Sequence, residues 1–166
     1  MLWNQSNTKS YASKLFQGRP SAIAQIQGSS QYPALHGTVS FYPTLRGTLV
    51  AAELFGLPSS SDPCQSPVLG FHIHSGKSCT GDESDPFKNA DGHYNPKNCA
   101  HPFHAGDLPP LFSNGGYAWM CVLTNRVKLK ELIGRTVIVH SSPDDFTTQP
   151  SGNSGEKIAC GVIRQI

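Results

Sequence analysis

Charged side chains are scarce in this sequence. It has 13 lysine and arginine residues against 11 aspartate and glutamate residues, so the formal net charge is only +2 at pH 7. A nucleic-acid-binding domain usually carries a strongly basic face, so this composition argues against nucleic acid as a partner. Long apolar runs are absent too, since no stretch reaches the roughly 18 apolar residues typical of a membrane-spanning helix. We therefore expect neither a nucleic acid nor a membrane as a partner.

The N-terminal segment has no apolar stretch of the kind that a secretory signal peptide requires. For the sequence as written we expect a cytoplasmic protein, and a periplasmic or secreted one if a leader was removed. Residues 1–18 also lack clean periodicity, so we expect a loosely ordered N-terminal arm there. Residues 19–166 are long enough to form one domain with its own core.

Glycine and proline are frequent, with 16 and 13 residues, and they predict many turns between short strands. Residues 127–133 are ambiguous, because they fit either a strand or one helical turn. Segments that alternate or run apolar between the turns predict strands at 21–28, 36–43, 47–57, 68–74, 117–124, 135–140 and 157–164. About eight short strands with no clear long helix predict an all-β fold, an antiparallel sandwich or barrel.

A pair of histidines lies in the predicted strand 68–74. His72 and His74 are two residues apart in an apolar run, and on a strand residues i and i+2 point to the same face. Both rings can therefore reach one metal ion. His140 ends another predicted strand, so the fold would have to bring it to this pair.

A second group of potential ligands lies in the stretch 75–116, which has little regular pattern. A loop of this length is unusual in a compact domain unless it is functional. Within fifteen residues it contains His93, His101, His104 and Asp107. Three imidazoles and one carboxylate from a single loop suit a tetrahedral zinc ion, and zinc would order the loop.

These residues and the motifs around them resemble the copper/zinc superoxide dismutase family. The motifs are Gly-Phe-His-Ile-His at 70–74, Asp-Gly-His-Tyr-Asn-Pro at 91–96, His-Pro-Phe-His-Ala-Gly-Asp at 101–107, Gly-Arg-Thr-Val-Ile-Val-His at 134–140, and Gly-Asn-Ser-Gly at 152–155. The resemblance covers residues 20–166, and the segments 72–79 and 106–111 are more similar to the bacterial branch. It implies a flattened Greek-key β-barrel with long metal-binding and channel loops.

The resemblance also implies a role for each ligand. Copper would be bound by His72, His74, His93 and His140. Zinc would be bound by His93, His101, His104 and Asp107. His93 belongs to both sets and would bridge the two ions as an imidazolate. Asp144 would accept hydrogen bonds from the rings of His72 and His101 and so connect the two sites.

With a copper ion and a zinc ion as cofactors, the implied activity is dismutation of superoxide to oxygen and hydrogen peroxide. His93 would take up and return a proton as copper is reduced and reoxidised. Lys157 stands three residues before Cys160, where the family normally has an arginine that attracts superoxide. Lysine keeps the charge and loses the planar fork, so we expect a reduced rate. We expect a monomer or a homodimer that needs no other protein partner.

Two other functions remain open at this point. A copper/zinc-binding or copper-buffering protein with little turnover would keep the same ligands, and the lysine at position 157 favours it. A β-sandwich interaction domain with incidental histidines would bind no stoichiometric metal. Because every ligand of the family pattern is present, the sequence favours the enzyme, and activity per bound copper would distinguish it from the buffer.

The five cysteines are Cys64, Cys79, Cys99, Cys121 and Cys160. The resemblance implies a disulfide between Cys79 and Cys160, which would tie the loop after the first histidine pair to the last strand. Cys64 and Cys99 are additional to the family pattern. They would form a second disulfide between two loops, or remain thiols or adventitious copper ligands. Cys121 lies in an apolar strand and is expected to be a buried free thiol.

Overall fold

In a computed structural model of the protein, the described residues are 18–62, 64 and 67–166. The predicted N-terminal arm therefore lies outside them, apart from residue 18. The strands are β1 (Ala22–Gly28), β2 (His36–Thr44), β3 (Gly47–Phe55), β4 (Val68–Leu69), β5 (Phe71–His74), β6 (Leu111–Phe112), β7 (Tyr117–Thr124), β8 (Thr136–His140) and β9 (Lys157–Gln165). The same described residues also form one short helix, α1 (Leu129–Leu132), and a 3-10 turn at Lys88–Ala90.

Seven of these strands form one antiparallel sheet in the order β5-β8-β9-β1-β2-β3-β7, and β4 pairs with β6. The sheet is curled, and the predicted all-β Greek-key barrel or sandwich is confirmed. Its long connections bring β9 beside β1 and β5 beside β8. Through the second of these pairings, the first histidine pair comes next to the strand that ends at His140.

Two details differ from the sequence prediction. The predicted strand 68–74 is interrupted at Gly70, because β4 pairs with β6 whereas β5 pairs with β8. A Cβ atom at Gly70 would lie 2.9 Å from the Ser154 side chain, so only glycine lets the chain pass there without a shift. The strand β6 was missed because two residues are too few to show a period.

The ambiguous segment 127–133 contains the helix α1. Its Leu132 is fully buried and Leu129 packs against the core, so the leucines serve as anchors for one helical turn rather than as strand residues. In the part of the chain that the structure describes, no helix has the length and apolar character needed to cross a membrane.

The main core fills the inside of the curled sheet, where alternate residues of β1, β2 and β3 are buried. Strand β8 is an exception, because all five of its residues are buried. Val137 and Val139 belong to the main core, whereas Ile138 packs into a second cluster with Phe87, Ala90 and Cys160. The loop that follows β5 therefore covers the outer face of β8, which explains the uninterrupted apolar run before His140.

Candidate metal centre

The first set of potential ligands, the copper-side set, consists of His72, His74, His93 and His140. Their ligand atoms all lie within 4.8 Å of one another, and all four residues are buried. His72 and His74 point to one face of β5, as their spacing predicts, and β5 pairs with β8. The ladder between β8 and β9 shifts register between Val139 and His140, and His140 reaches the pair from the end of β8.

The second set, the zinc-side set, consists of His93, His101, His104 and Asp107. Their ligand atoms also lie within 4.8 Å of one another. Asp107 is central to this set, because its Oδ1 lies 2.8 Å from His93 Nδ1 and its Oδ2 lies 3.2 Å from His101 Nδ1. The same Oδ2 accepts the backbone N–H of His104 at 2.9 Å. The loop thus positions its own carboxylate among its own histidines.

The His93 ring lies between the two sets. Its centroid is 3.9 Å from that of His72 and 5.5 Å from that of His104. An isolated bridge between His74 and His93 fixes the backbone beside β5. Nδ1 faces the zinc-side carboxylate, so Nε2 is the nitrogen left for the copper side. The structure therefore brings together both sets with the shared histidine that the sequence predicts.

Three ring nitrogens show how well metal ions fit this centre. His72 Nδ1, His93 Nε2 and His101 Nδ1 are buried and have no hydrogen-bond partner among the described residues. An unsatisfied buried polar atom costs about 1–3 kcal/mol, so such atoms are rare in folded proteins. Coordination to a metal ion would satisfy them. Imidazole suits copper, and three imidazoles with a carboxylate suit zinc, so the residues present fit both ions.

Asp144 connects the two sets by binding the ring nitrogens of His72 and His101 that face away from the centre. It is buried, and its Oδ2 and Oδ1 each accept a hydrogen bond of 2.8 Å, from Nε2 of His72 and from Nε2 of His101. Because a carboxylate can only accept, both rings carry their proton on Nε2 and present Nδ1 to the centre. A Cβ atom at Gly152, where φ is 69°, would lie 2.0 Å from Asp144 Oδ1, so glycine leaves the space that this carboxylate occupies.

Backbone carbonyls orient the other two copper-side rings. His74 Nδ1 donates to the carbonyl of Asp91 at 2.6 Å, and His140 Nδ1 donates to the carbonyl of Gly155 at 3.3 Å. Their Nε2 atoms face each other at 3.2 Å, which suits two ligands of one ion. Side-chain patterns carry no signal for such carbonyl contacts, so the sequence did not indicate Asp91 or Gly155 as orienting residues.

Burial keeps three of the copper-side histidines, His72, His74 and His140, neutral. It lowers the pKa of His72 and His74 well below the usual value, with the nearby histidines adding to the effect. For His140, burial lowers the pKa to about 4, although the hydrogen bond to Gly155 opposes it. Metal ligation requires the neutral imidazole, and these residues have it at neutral pH.

Asp107 is ionised for a different reason. Burial alone would raise its pKa, but the hydrogen bond to His93 and the charges of His93, His101 and His104 outweigh burial and lower it. The pKa of His104 is also lowered, but there burial is the cause and the Asp107 charge opposes it. An ionised Asp107 and a neutral His104 are the protonation states in which these two residues can bind zinc.

Lys157, which the sequence assigns to substrate attraction, lies at the wall of a cavity of about 480 Å³ lined also by His74, His93 and His140. It pairs with His140 across β8 and β9. Its Nζ forms a salt bridge with Asp85 and also lies 3.4 Å from the carbonyl of Phe87. The sequence did not reveal either contact.

Gln149 is a second residue that motifs did not indicate. Its side chain holds the backbone of His101 from both sides, since Oε1 accepts the His101 N–H at 2.9 Å and Nε2 donates to the His101 carbonyl at 2.8 Å. The two residues are 48 positions apart. Gln149 thus fastens the zinc-side loop to the loop between β8 and β9.

The Cys79–Cys160 disulfide is present, as the resemblance implies. The second disulfide considered from the sequence is not formed, because Cys64 and Cys99 are both free. The side chain of Asn95 bonds both the N–H and the carbonyl of Cys99, which holds Cys99 in its own loop beside the metal cavity. Cys121 is free as expected, but it is partly exposed rather than buried, because it lies on the outer face of β7.

Comparisons with known proteins agree with this geometry. The family model described as "Copper/zinc superoxide dismutase (SODC)" matches residues 35–163. A superoxide dismutase [Cu-Zn] of Photobacterium leiognathi is 40% identical over 142 residues, which are 77% of this chain and 78% of that protein. One from Legionella pneumophila is 34% identical over 149 residues, 85% of each protein. The solved Cu/Zn superoxide dismutase from Brucella abortus has a TM-score of 0.71 at 28% identity and covers 85% of this chain and 98% of its own. The chain therefore belongs to the copper/zinc superoxide dismutase family, in its bacterial type.

Proposed function

We propose that the protein is a superoxide dismutase that converts superoxide to oxygen and hydrogen peroxide with a copper ion and a zinc ion. The observation that carries this proposal is the shared His93. Its Nδ1 lies against Asp107 of the zinc-side set, and its buried Nε2, close to the His72 ring, has no hydrogen-bond partner in the described part of the chain. Membership of the family supports the same activity.

The proposed ligands follow from the two sets. Copper would be held by His72, His74, His93 and His140. Zinc would be held by His93, His101, His104 and Asp107. Copper held by these residues would supply one-electron redox chemistry toward superoxide, and zinc would contribute charge and order.

The chain's own residues would supply position, charge and a proton. Nε2 of His93 is the atom proposed to hold a proton during one half of the cycle and to release it in the other. Asp144 keeps Nδ1 of His72 and of His101 directed at the centre. Lys157 at the cavity wall is proposed to attract the superoxide anion.

One observation favours a second candidate, a copper/zinc-binding or copper-buffering protein with little turnover. The ammonium of Lys157 is paired with the carboxylate of Asp85, so its attraction for anions is reduced. Such a protein would bind both metals through the same residues and differ only in rate. The two candidates are separated by turnover per bound copper.

The test is to load the protein with one copper and one zinc and to measure dismutation per copper at low and high ionic strength. We expect turnover far above that of a simple copper complex, and a rate that falls with salt because screening weakens anion attraction. Lys157→Gln should lower the rate and flatten the salt dependence. Stoichiometric metal with turnover no better than the copper complex would leave the buffer as the function.

The sequence predicts a monomer or a homodimer, and we infer that the homodimer is favoured. The outer face of β3 and β7 presents Phe55, Tyr117, Trp119 and Leu123, which are 37–55% exposed. Contiguous exposed apolar residues of this kind mark interaction surfaces. Light scattering of the purified protein decides the state, and Leu123→Lys should yield a monomer if this face is the interface.

The cytoplasmic location expected from the sequence stays a prediction. The Cys79–Cys160 disulfide supports the alternative, a periplasmic or secreted protein, because disulfides persist mainly in oxidising compartments. Fractionation of cells that express the native gene would distinguish the two locations.

A further inference from the structure

Lys157 lies between two cavities of opposite character. On one side it lines the metal cavity, in which it is the one lysine or arginine among the lining residues that the structure describes. On the other side it lines a cavity of about 370 Å³ whose acidic residues are Asp82, Glu83, Asp85 and Glu156. The main positive charge beside the metal cavity is therefore also in contact with an acidic surface.

Asp85 is fixed in the position from which it contacts Lys157. Its Oδ1 accepts the N–H of Phe87 at 3.0 Å, which leaves Oδ2 for the lysine. Its backbone carbonyl accepts the N–H groups of Asp82 at 3.0 Å and Lys88 at 3.1 Å. The carboxylate is thus held by a hydrogen-bonded turn and does not depend on a freely rotating side chain.

The loop that carries Asp85 is in turn fixed to the strand that carries Lys157. The disulfide joins Cys79, six residues before Asp85, to Cys160, three residues after Lys157. Phe87 is buried against Cys160. The Lys157 side chain is 17% exposed and that of Asp85 is 35% exposed, so the pair is less screened than an ion pair on the open surface.

We propose that Asp85 is a positioning residue of the metal cavity: its carboxylate holds the Lys157 ammonium at the cavity wall and offsets much of the lysine charge. Anions then enter the cavity less readily than they would beside an unpaired lysine. The inference rests on the proposed function, because it concerns the attraction of superoxide to the copper side. It predicts that loss of the Asp85 charge strengthens anion binding.

Asp85→Asn is the informative variant, because it removes the charge at nearly constant size, and its single amide oxygen cannot replace both carboxylate oxygens that accept from Phe87 and Lys157. Azide, a small anion, is titrated into the copper- and zinc-loaded protein and followed by its optical spectrum. We expect its dissociation constant to fall roughly two- to tenfold at low salt. The difference should shrink at about 1 M ionic strength, where the Debye length is only about 3 Å.

Glu83→Gln is the matched control. This carboxylate lies in the same loop and is exposed, and the variant loses the same charge, but Glu83 is not the carboxylate paired with Lys157. A smaller change in azide affinity than in Asp85→Asn is expected. Equal changes in the two variants would overturn the proposal, because the charge of the loop alone would then explain the effect.

A second measurement needs no metal. In the metal-free protein, acetylation of Lys157 by an amine-reactive reagent is followed by peptide mass spectrometry, with the exposed Lys97 as internal reference. Asp85→Asn should increase labelling of Lys157 relative to Lys97, and Glu83→Gln should not. Unchanged labelling in Asp85→Asn would overturn the proposal. If the wild-type protein bound no copper, the proposed function would fail, whereas this labelling would still decide whether Asp85 holds Lys157.

Discussion

The two halves of the metal centre are built in different ways. The copper-side ligands span residues 72–140 and three of them lie on strands β5 and β8, whereas the zinc-side ligands all lie in residues 93–107 of one loop. The ladder between β5 and β8 therefore fixes most of the copper side. The zinc side depends on local contacts, such as that of Asp107 with the His104 backbone.

This difference predicts how the two halves respond to change. Removing a ligand from the copper side leaves the surrounding barrel intact, because its backbone is held by strand pairing. On the zinc side, a few hydrogen bonds, such as those of Gln149, anchor the loop, and we expect its order to depend on the zinc ion as well.

His140→Ala should separate the two halves. The variant removes a copper-side ligand that does not belong to the zinc-side set. We expect copper affinity to fall by more than about 100-fold, which exceeds the usual effect of losing a residue that only orients a ligand. Dismutation should be lost, and zinc should be retained. Metal analysis after dialysis gives the readout, and His36→Ala, at an exposed histidine outside both sets, is the control. Equal loss of both metals would show that the halves are not separable.

Acid should destabilise the metal-free protein, mainly through the copper side. The folded pKa of His140 is about 4, against 6.5 for an ordinary histidine. Between these values the unfolded chain binds more protons than the folded protein. The contribution of His140 to the free energy of unfolding is therefore fully present above pH 6.5 and is lost as the pH falls toward 4. The effect of His140 alone is about 3 kcal/mol.

Urea unfolding of the metal-free protein at several pH values measures this loss. In His140→Gln the pH dependence should be shallower. His104→Gln, on the zinc side, should reduce it less, because the Asp107 charge opposes the lowering of the His104 pKa. A pH dependence that is unchanged in His140→Gln would contradict the assignment.

Asp144→Ala should weaken both halves together. It removes both carboxylate oxygens, so Nε2 of His72 and Nε2 of His101 each lose their hydrogen-bond acceptor. We expect each metal affinity to fall roughly 10- to 100-fold, measured by competition with chelators. Asp145→Ala is the control, because that exposed carboxylate bonds only within its own turn. A loss confined to one metal would argue against the shared role.

Gln149→Ala should have the smallest effect and should be confined to the zinc side. The variant loses two hydrogen bonds to the His101 backbone, each contributing about 1 kcal/mol. Zinc affinity should fall while copper affinity stays the same, in contrast to the exposed Gln165→Ala, which should change neither. A fall in copper affinity of the same size would show that the loop also supports the copper side.

Much of the centre was predictable because its residues follow simple spacings. The separation of His72 and His74 matches the period of a strand, and the zinc-side residues are close together in sequence. The same local character made most strands recognisable. The two-residue strand β6 was not, and neither was the break at Gly70 that separates β4 from β5, because no periodicity reveals either of them.

The remaining contacts depend on how loops pack on each other. Asp85 and Lys157 are 72 residues apart, and Gln149 and His101 are 48 apart. No local pattern relates such residues, so they emerged only from the structure. The alternatives left open for Cys64 and Cys99 have a related cause, since sequence alone cannot determine how cysteines pair; in the structure both are free thiols.

The position of Asp144 has a thermodynamic consequence for metal loading. Its two oxygens orient one ring of each half, so an ion bound at either site would hold in place the carboxylate that the other site requires. We therefore expect binding of the two ions to be cooperative. Because coupling between two binding equilibria is reciprocal, zinc must raise the affinity for copper by the same factor by which copper raises the affinity for zinc.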